Sequence, residues 1–402
     1  MELISRKYYA EKVDAWLGKG QIIVLVGQRR VGKSCVLKDF KQRHENDADT
    51  NIIYINKEKK EFDSIRDHTT LNSYIDSRIS KGKHNYILID EVQDIMEWER
   101  SVRSYRTEDD TDIIITGSNA QMLSSELGTL LAGRYQEIKV QGLSYTEFLG
   151  FHDLEDNDSS LHKYLNYGGL PGLRPIGTED EEHVHDYLQS VLNTVVLKDI
   201  IERHSIRNVT FLNKLLQYLA DNTGKPISAN NISNYMKSKG TTVSTNLVVD
   251  YLFYFKETYL VNCVQRYDIH GKKILETNEK YYFEDLGLRN LLSGNDNREN
   301  DIEKMLENVV YEHLLRQGFT VKVGQLQAGE VDFVCTRNGQ RAYVQVCYLI
   351  ASENTRKREF GTLKRIADNH PKYVISLSPL VARDNNEGII HIGLHEFLLN
   401  GL

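Results

Sequence analysis

The sequence predicts an α/β protein of several parts, with a parallel sheet at its N-terminal end. Three observations carry this. Short apolar runs alternate with helical stretches from residue 22 to residue 140, the order that builds parallel sheets. The first run, QIIVLV, passes directly into a glycine-bracketed loop and a helix. The final part of the chain, from Asp301 on, reads helix, three strands, helix, strand. A length of 402 residues, at roughly 100–200 per domain, leaves room for two to four domains.

Composition narrows the classes. Charged residues make up 27% and hydrophobic residues 40%, as in an ordinary globular protein. The net charge of −7 gives no global basic footprint, so any nucleic-acid surface is local. No apolar run approaches the ~20 residues that span a bilayer, and no membrane partner is expected. The first stretch, MELISRKYYAEKVDAW, lacks the apolar core of a signal peptide. Cys35, Cys263, Cys335 and Cys347 form no C-x-x-C pair, which argues against a zinc ribbon or a disulfide framework. The expectation is a cytoplasmic protein with reduced thiols.

The strand Ile22 to Val26 leads into Gly27-x-x-x-x-Gly32-Lys33-Ser34, a P-loop in its strand-to-helix setting. Gly27 and Gly32 let backbone N–H groups curl around phosphates, and the next helix offers its positive end. Lys33 reaches the β- and γ-phosphates and Ser34 ligates Mg²⁺. The expected nucleotide contacts are Gly27, Gln28, Arg29, Arg30, Val31, Gly32, Lys33, Ser34 and Cys35. NIIYIN (51–56) reads as a strand and LNSYIDSRIS (71–80) as helix. NYILIDE (85–91) is a buried strand ending in Asp90-Glu91. Asp90 is placed to hold Mg²⁺ through its water shell, and Glu91 to polarise the attacking water. An Asp-Glu doublet favours hydrolysis over transfer to a second substrate. DIIITGSNA (112–120) carries Ser118 and Asn119 to the crevice where such sheets bind ligands. There they either sense the γ-phosphate and align water, or cap the helix that follows. That helix ends in Ala132-Gly133-Arg134-Tyr135, before the strand QEIKV (136–140). Arg134 is either an arginine finger offered to a neighbouring subunit or a cation complementing the helix dipole.

The stretches GQRRVGKS, YILIDEVQDIMEWE, TGSNAQML, LAGRY, LSYTEFL, YGGLPGL and VLKDIIERH together resemble the prokaryotic AAA-type (ASCE) P-loop ATPases that carry an appended C-terminal domain of unknown function. The resemblance covers nearly the whole chain. It implies a P-loop sheet with added strands between the P-loop strand and its neighbours, and ATP as the nucleotide. Residues 142–205 then form a helical lid, in which Arg174 is a candidate second sensor.

The middle segment carries three helices: FLNKLLQYLA, ISANNISNYMKSKG opened by Ser228, and VSTNLVVDYLFYFKETYL capped by Ser244. A hairpin around His270-Gly271-Lys272-Lys273 follows. This order is that of a winged helix, as the resemblance also implies. Residues 206–295 hold 11 Lys/Arg against 8 Asp/Glu, a net of +3, yet the third helix is not the basic part. Arg266, Lys272 and Lys273 on the hairpin suit phosphate contacts rather than base readout. DNA contact and protein-partner packing both remain open for this segment.

The last segment has the element order of a restriction-endonuclease-like core, with Asn338-Gly339 turning its second strand into its third. Such a core holds Mg²⁺ with an acid on one strand and an E-x-K triplet on the next. Here Glu307 lies on the first helix and Asp332 on the middle strand, but the triplet reads Gln345-Val346-Cys347. Gln345 brings no charge and Cys347 no ammonium, so nuclease activity is not expected and recognition is. Glu330, Lys357 and Glu359 stand nearby as migrated candidates.

The expected parts are an ATPase core at 1–141, a lid at 142–205, a winged helix at 206–295 and the nuclease-like domain at 300–402. The expected function is Mg²⁺-dependent ATP hydrolysis that moves or gates the C-terminal modules, in a chain able to form homo-oligomers. The alternatives are a nucleotide-regulated binding switch with little turnover and an ATP-dependent nuclease.

Overall fold

A computed structural model describes residues 4–117, 128, 131, 133–294, 298–327, 329–350, 353–378 and 384–402. The chain separates into two compact units: Met1–Gln141 with Glu257–Tyr259, and Gly142–Lys256 with Leu260–Leu402.

The first unit contains α1 (Lys7–Asp14), β1 (Ile22–Val26), α2 (Lys33–His44), β2 (Thr50–Asn56), α3 (His68–Asp76), β3 (His84–Asp90), α4 (Trp98–Tyr105), β4 (Thr111–Thr116) and β5 (Tyr135–Lys139). The strands form one parallel sheet in the order β2-β3-β4-β1-β5. One strand, β4, therefore lies between the P-loop strand and the acidic strand. β1 is buried along its whole length, as a central strand covered on both faces must be. Ile22, Val24 and Val26 pack in one core with Phe62, Leu71, Trp98 and Val102. Helix α3 starts three residues before the expected 71–80 stretch. Asp67 caps it by accepting from Thr70 N, and Thr70 returns the bond to the Asp67 N–H.

The second unit opens with α5 (Tyr145–His152), α6 (Asp158–Tyr167) and α7 (Glu181–Thr194). The latter runs on into a π-helical stretch at Val195–Glu202, a widened turn that the sequence pattern does not announce. Then come α8 (Val209–Asp221), α9 (Ala229–Ser238), α10 (Thr245–Glu257), β6 (Val261–Asp268), β7 (Lys273–Phe283) and α11 (Leu286–Ser293). Ser228 and Ser244 accept from Asn231 N and Leu247 N, as capping residues do. The chain ends with α12 (Arg298–Arg316), β8 (Thr320–Leu326), β9 (Gly329–Arg337), β10 (Gln340–Cys347), α13 (Glu353–Lys364), β11 (Lys372–Ser376), β12 (Asp384–Asn386), β13 (Ile389–Gly393) and α14 (Leu394–Asn400).

The expected division into lid, winged helix and nuclease-like domain differs from what forms. The hairpin β6–β7 joins the C-terminal strands in one eight-stranded sheet, ordered β12-β13-β11-β10-β9-β8-β6-β7. β6 pairs parallel with β8 through Arg266, Tyr267 and Asp268. A single apolar cluster takes residues from all three expected parts, including Leu143 and Phe148, Tyr282 and Leu286, Val310 and Phe397. Helix α11 is a second tie. Its fully buried Arg289 donates to Ala220 O at the end of α8 (2.8 Å) and pairs with Asp301 on α12. These segments share one core because none of the three covers its own apolar face.

Candidate nucleotide-binding site

The first unit gathers its chemistry where β1, β3, β4 and β2 end. The loop after β1 requires glycine at two points. Gly27 has φ +142°, and a Cβ there would stand 2.1 Å from Val140 O. Gly32, with φ +98°, is the residue from which α2 springs. Buried Arg6, ahead of α1, fastens the loop from outside by donating to Val31 O (3.1 Å) and Gln141 O (2.7 Å). Lys33 is 4% exposed, its Nζ donating to Gly27 O (2.9 Å) and Gln28 O (3.0 Å), so the ammonium lies within the curl of the loop. The Gln28 side chain is fully buried, and neither atom of its amide has a hydrogen-bond partner among the described residues. Of the other loop residues, Val31 is buried, Arg29 and Ser34 are half-buried, and Arg30 and Cys35 are exposed.

Asp90 is the centre of the polar network. It is 0% exposed, and burial raises its carboxyl above the usual range despite bonds from Thr116 and Ser34. Its Oδ1 accepts from Thr116 Oγ1 (2.7 Å) and Ser34 Oγ (3.0 Å), and its Oδ2 from Asn56 Nδ2 (3.1 Å). The strand register supplies these partners. Asn56 pairs across from Asp90 on β2, and Ile115 pairs with Ile89, so Thr116 ends β4 at the same level. A hydroxyl and a carboxylate 3.0 Å apart beside the P-loop fit a Mg²⁺ site, the cation offsetting the burial of Asp90. Glu91 leaves the strand in the left-handed region (φ 56°), its N–H donating to Thr116 Oγ1 (2.9 Å). The Gln93 amide donates to the Glu91 carboxylate.

Among the expected catalytic groups, Ser118 and Asn119 lie outside the described residues. The strand that was to deliver them ends at Thr116, which takes the polar position next to Asp90. Arg134 is exposed just ahead of β5, and its carbonyl accepts from Ile22 N (3.1 Å). β5 runs parallel to β1, so Arg134 stands at the end of the sheet opposite the P-loop. Within one chain it is no part of the site. Arg174 belongs to the second unit, where its charge helps burial push His152 down to about 4. Thr116, Asn56, Arg6 and Gln93 were not singled out from sequence. Asn56 and Thr116 had a readable signal, since each is the polar residue closing an apolar strand beside β3.

In the second unit, Glu307 and Asp332 do meet, as the nuclease-like reading expects. They are joined by Glu330 and by a residue that reading did not include, Lys280 of β7. Gln345 instead donates to Glu359 (3.2 Å), and Cys347 is buried among Phe360 and Leu363.

The family comparison agrees with the first unit. Residues 19–149 match the family model described as an AAA domain. Residues 158–299 match one described as a domain of unknown function, DUF8612. An uncharacterized protein of Haemophilus influenzae is 34% identical over 381 residues, covering 93% of each chain. The chain belongs to this family of AAA-type ATPases. A second member, an uncharacterized protein of Methanocaldococcus jannaschii, is 30% identical over 369 residues, 88% of this chain and 80% of that one. The Walker-type ATPase paby2304 of Pyrococcus abyssi shares the fold, with a TM-score of 0.50 at 16% identity over 72% of this chain and 96% of that one.

Proposed function

We propose that the chain binds ATP with Mg²⁺ and hydrolyses it at the ends of β1, β3 and β4, and that turnover gates the second unit. The observation that carries this is the buried Asp90, held by Ser34, Thr116 and Asn56 one residue before an acid kinked out of the strand. Ser34 and Asp90 would hold Mg²⁺, which would supply positive charge against the phosphate oxygens. Lys33 binds the same oxygens, and the loop N–H groups orient the chain of phosphates. Glu91 accepts the proton of the attacking water. Arg134 acts only if a second copy brings it to the nucleotide, so its role requires an oligomer.

The grip of Gln93 on Glu91 favours a second reading, a switch with slow basal turnover that accelerates when a partner frees the carboxylate. A protein partner suits the second unit better than DNA. Helix α10, in the position of a winged helix's reading helix, exposes Asn246, Val249, Asp250, Phe253 and Lys256, a largely apolar face with no net charge rather than a cluster of cations. The reading is tested by ATP binding and phosphate release from the purified chain with Mg²⁺. Both are expected, and both are expected to vanish in Lys33→Ala. A chain that binds no ATP contradicts it.

A further inference from the structure

We propose that Lys280 is the resident cation of the nuclease-like acid cluster, so that this part of the chain takes up no divalent metal. The fold implies a metal among Glu307, Asp332 and their neighbours, and the residues present do not fit one. Among the described residues no group of three His, Cys, Asp or Glu side chains is arranged to hold a metal ion. An ammonium stands there instead.

Lys280 is 3% exposed, and its Nζ contacts Glu307 Oε1 (2.9 Å) and Glu330 Oε1 (2.6 Å). Residues two apart on a strand share a face, and Tyr282 uses that face to donate its hydroxyl to the same Glu307 oxygen (2.5 Å). Tyr282 is itself fixed, fully buried and stacked on Tyr311 at 4.6 Å. A second closure comes from the turn after α8. Gly224 donates to Tyr281 O, and a Cβ on Gly224 would stand 2.9 Å from Glu307 Oε2. Asp332 is committed elsewhere, its Oδ2 accepting from Val346 N (2.8 Å).

The electrostatics follow this geometry. Burial alone would lower the Lys280 ammonium, but Glu307, Asp332 and Glu330 outweigh it and hold the group charged. Burial and the neighbouring Glu307 push Asp332 well above the usual carboxylate range. A buried carboxyl whose charged form is disfavoured and two carboxylates sharing one ammonium leave little to attract a dication. The lysine comes from β7 rather than β10, so it does not restore the missing triplet. Its effect is to bind the hairpin to α12 and β9. This is independent of the ATP site, which lies in the other unit.

The test is Mn²⁺ binding to the full, nucleotide-free chain, followed by the loss of the free-ion electron paramagnetic resonance signal. Wild type and Asp332→Asn are expected to be indistinguishable. Lys280→Gln, which removes the ammonium and keeps a polar side chain, is expected to bind Mn²⁺ at least about tenfold more tightly than wild type. Adding Asp332→Asn to it should abolish the gain. A folded Lys280→Gln that gains no Mn²⁺ binding overturns the proposal. So does wild-type Mn²⁺ binding that Asp332→Asn removes, a comparison that needs no variant at Lys280 and stands even where that variant folds poorly.

Discussion

Single residues in this chain do their work through what their neighbours force on them. Asp90 is a carboxyl with no exposure to water, and hydrogen-bond donors from α2, β2 and β4 surround it. Gly27 is the sharpest steric requirement. Replacing it by Ala places a methyl 2.1 Å from a backbone carbonyl at a φ that L-residues avoid. Gly27→Ala is therefore expected to cost more than about 2 kcal/mol of first-unit stability, besides ATP binding. Denaturant unfolding read by tryptophan fluorescence checks this directly, because Trp16 and Trp98 both lie in that unit. An unchanged midpoint would mean the loop has another conformation. The P-loop residues were legible from sequence because each type answers to a single physical need. Lys280 was not, because its meaning depends on which strand the hairpin joins, and nothing in LETNEKYYF announces that.

At the scale of elements, strands and helices were recoverable from pattern while their company was not. The apolar runs of β1 to β4 stand out, and Ser228 and Ser244 mark their helix starts. The pairing of β6 with β8 is a contact between segments more than fifty residues apart, and it turned three expected parts into one unit. The short strands β12 and β13 and the helix α14 were missed, since three to seven residues give too few periods to recognise. The contact between α12 and α14 leads to a pH prediction. His313 of α12 packs edge-on against Phe397 of α14 at 4.7 Å, and burial, aided by Arg316, pushes its imidazole down to about 3. An imidazole depressed on folding stabilises the protein above its unfolded value of roughly 6.5 and loses that contribution as pH falls toward 3. His152, lowered to about 4, acts in the same sense, whereas Asp285, raised to about 6, acts in the opposite one. Asp332, raised well above the usual carboxylate range, and Asp221 act with Asp285. Whatever the net slope of the second unit between pH 6.5 and 4, the loss on acidification should be smaller in His313→Gln than in wild type. Far-UV circular dichroism melts of both proteins across that range measure it, and an identical pH dependence in wild type and His313→Gln would contradict the burial of His313.

The whole molecule is an ATPase-type unit joined to a larger unit that carries no metal centre of its own among the described residues. Among those residues no helix is long and apolar enough to cross a membrane. The two units differ in where charge is buried and what balances it. In the first unit, a buried carboxylate with neutral partners invites a cation from outside. In the second, a cluster of acids already has one in Lys280. The proposed function, energy input in the first unit and recognition in the second, draws on this difference. The decisive test is a single-turnover experiment on Glu91→Gln with radiolabelled ATP and Mg²⁺. Removing the general base should slow hydrolysis by about 10²-fold or more while ATP stays bound and uncleaved. Hydrolysis at the wild-type rate would show that Glu91 does not activate the water, and the account of this site would fall.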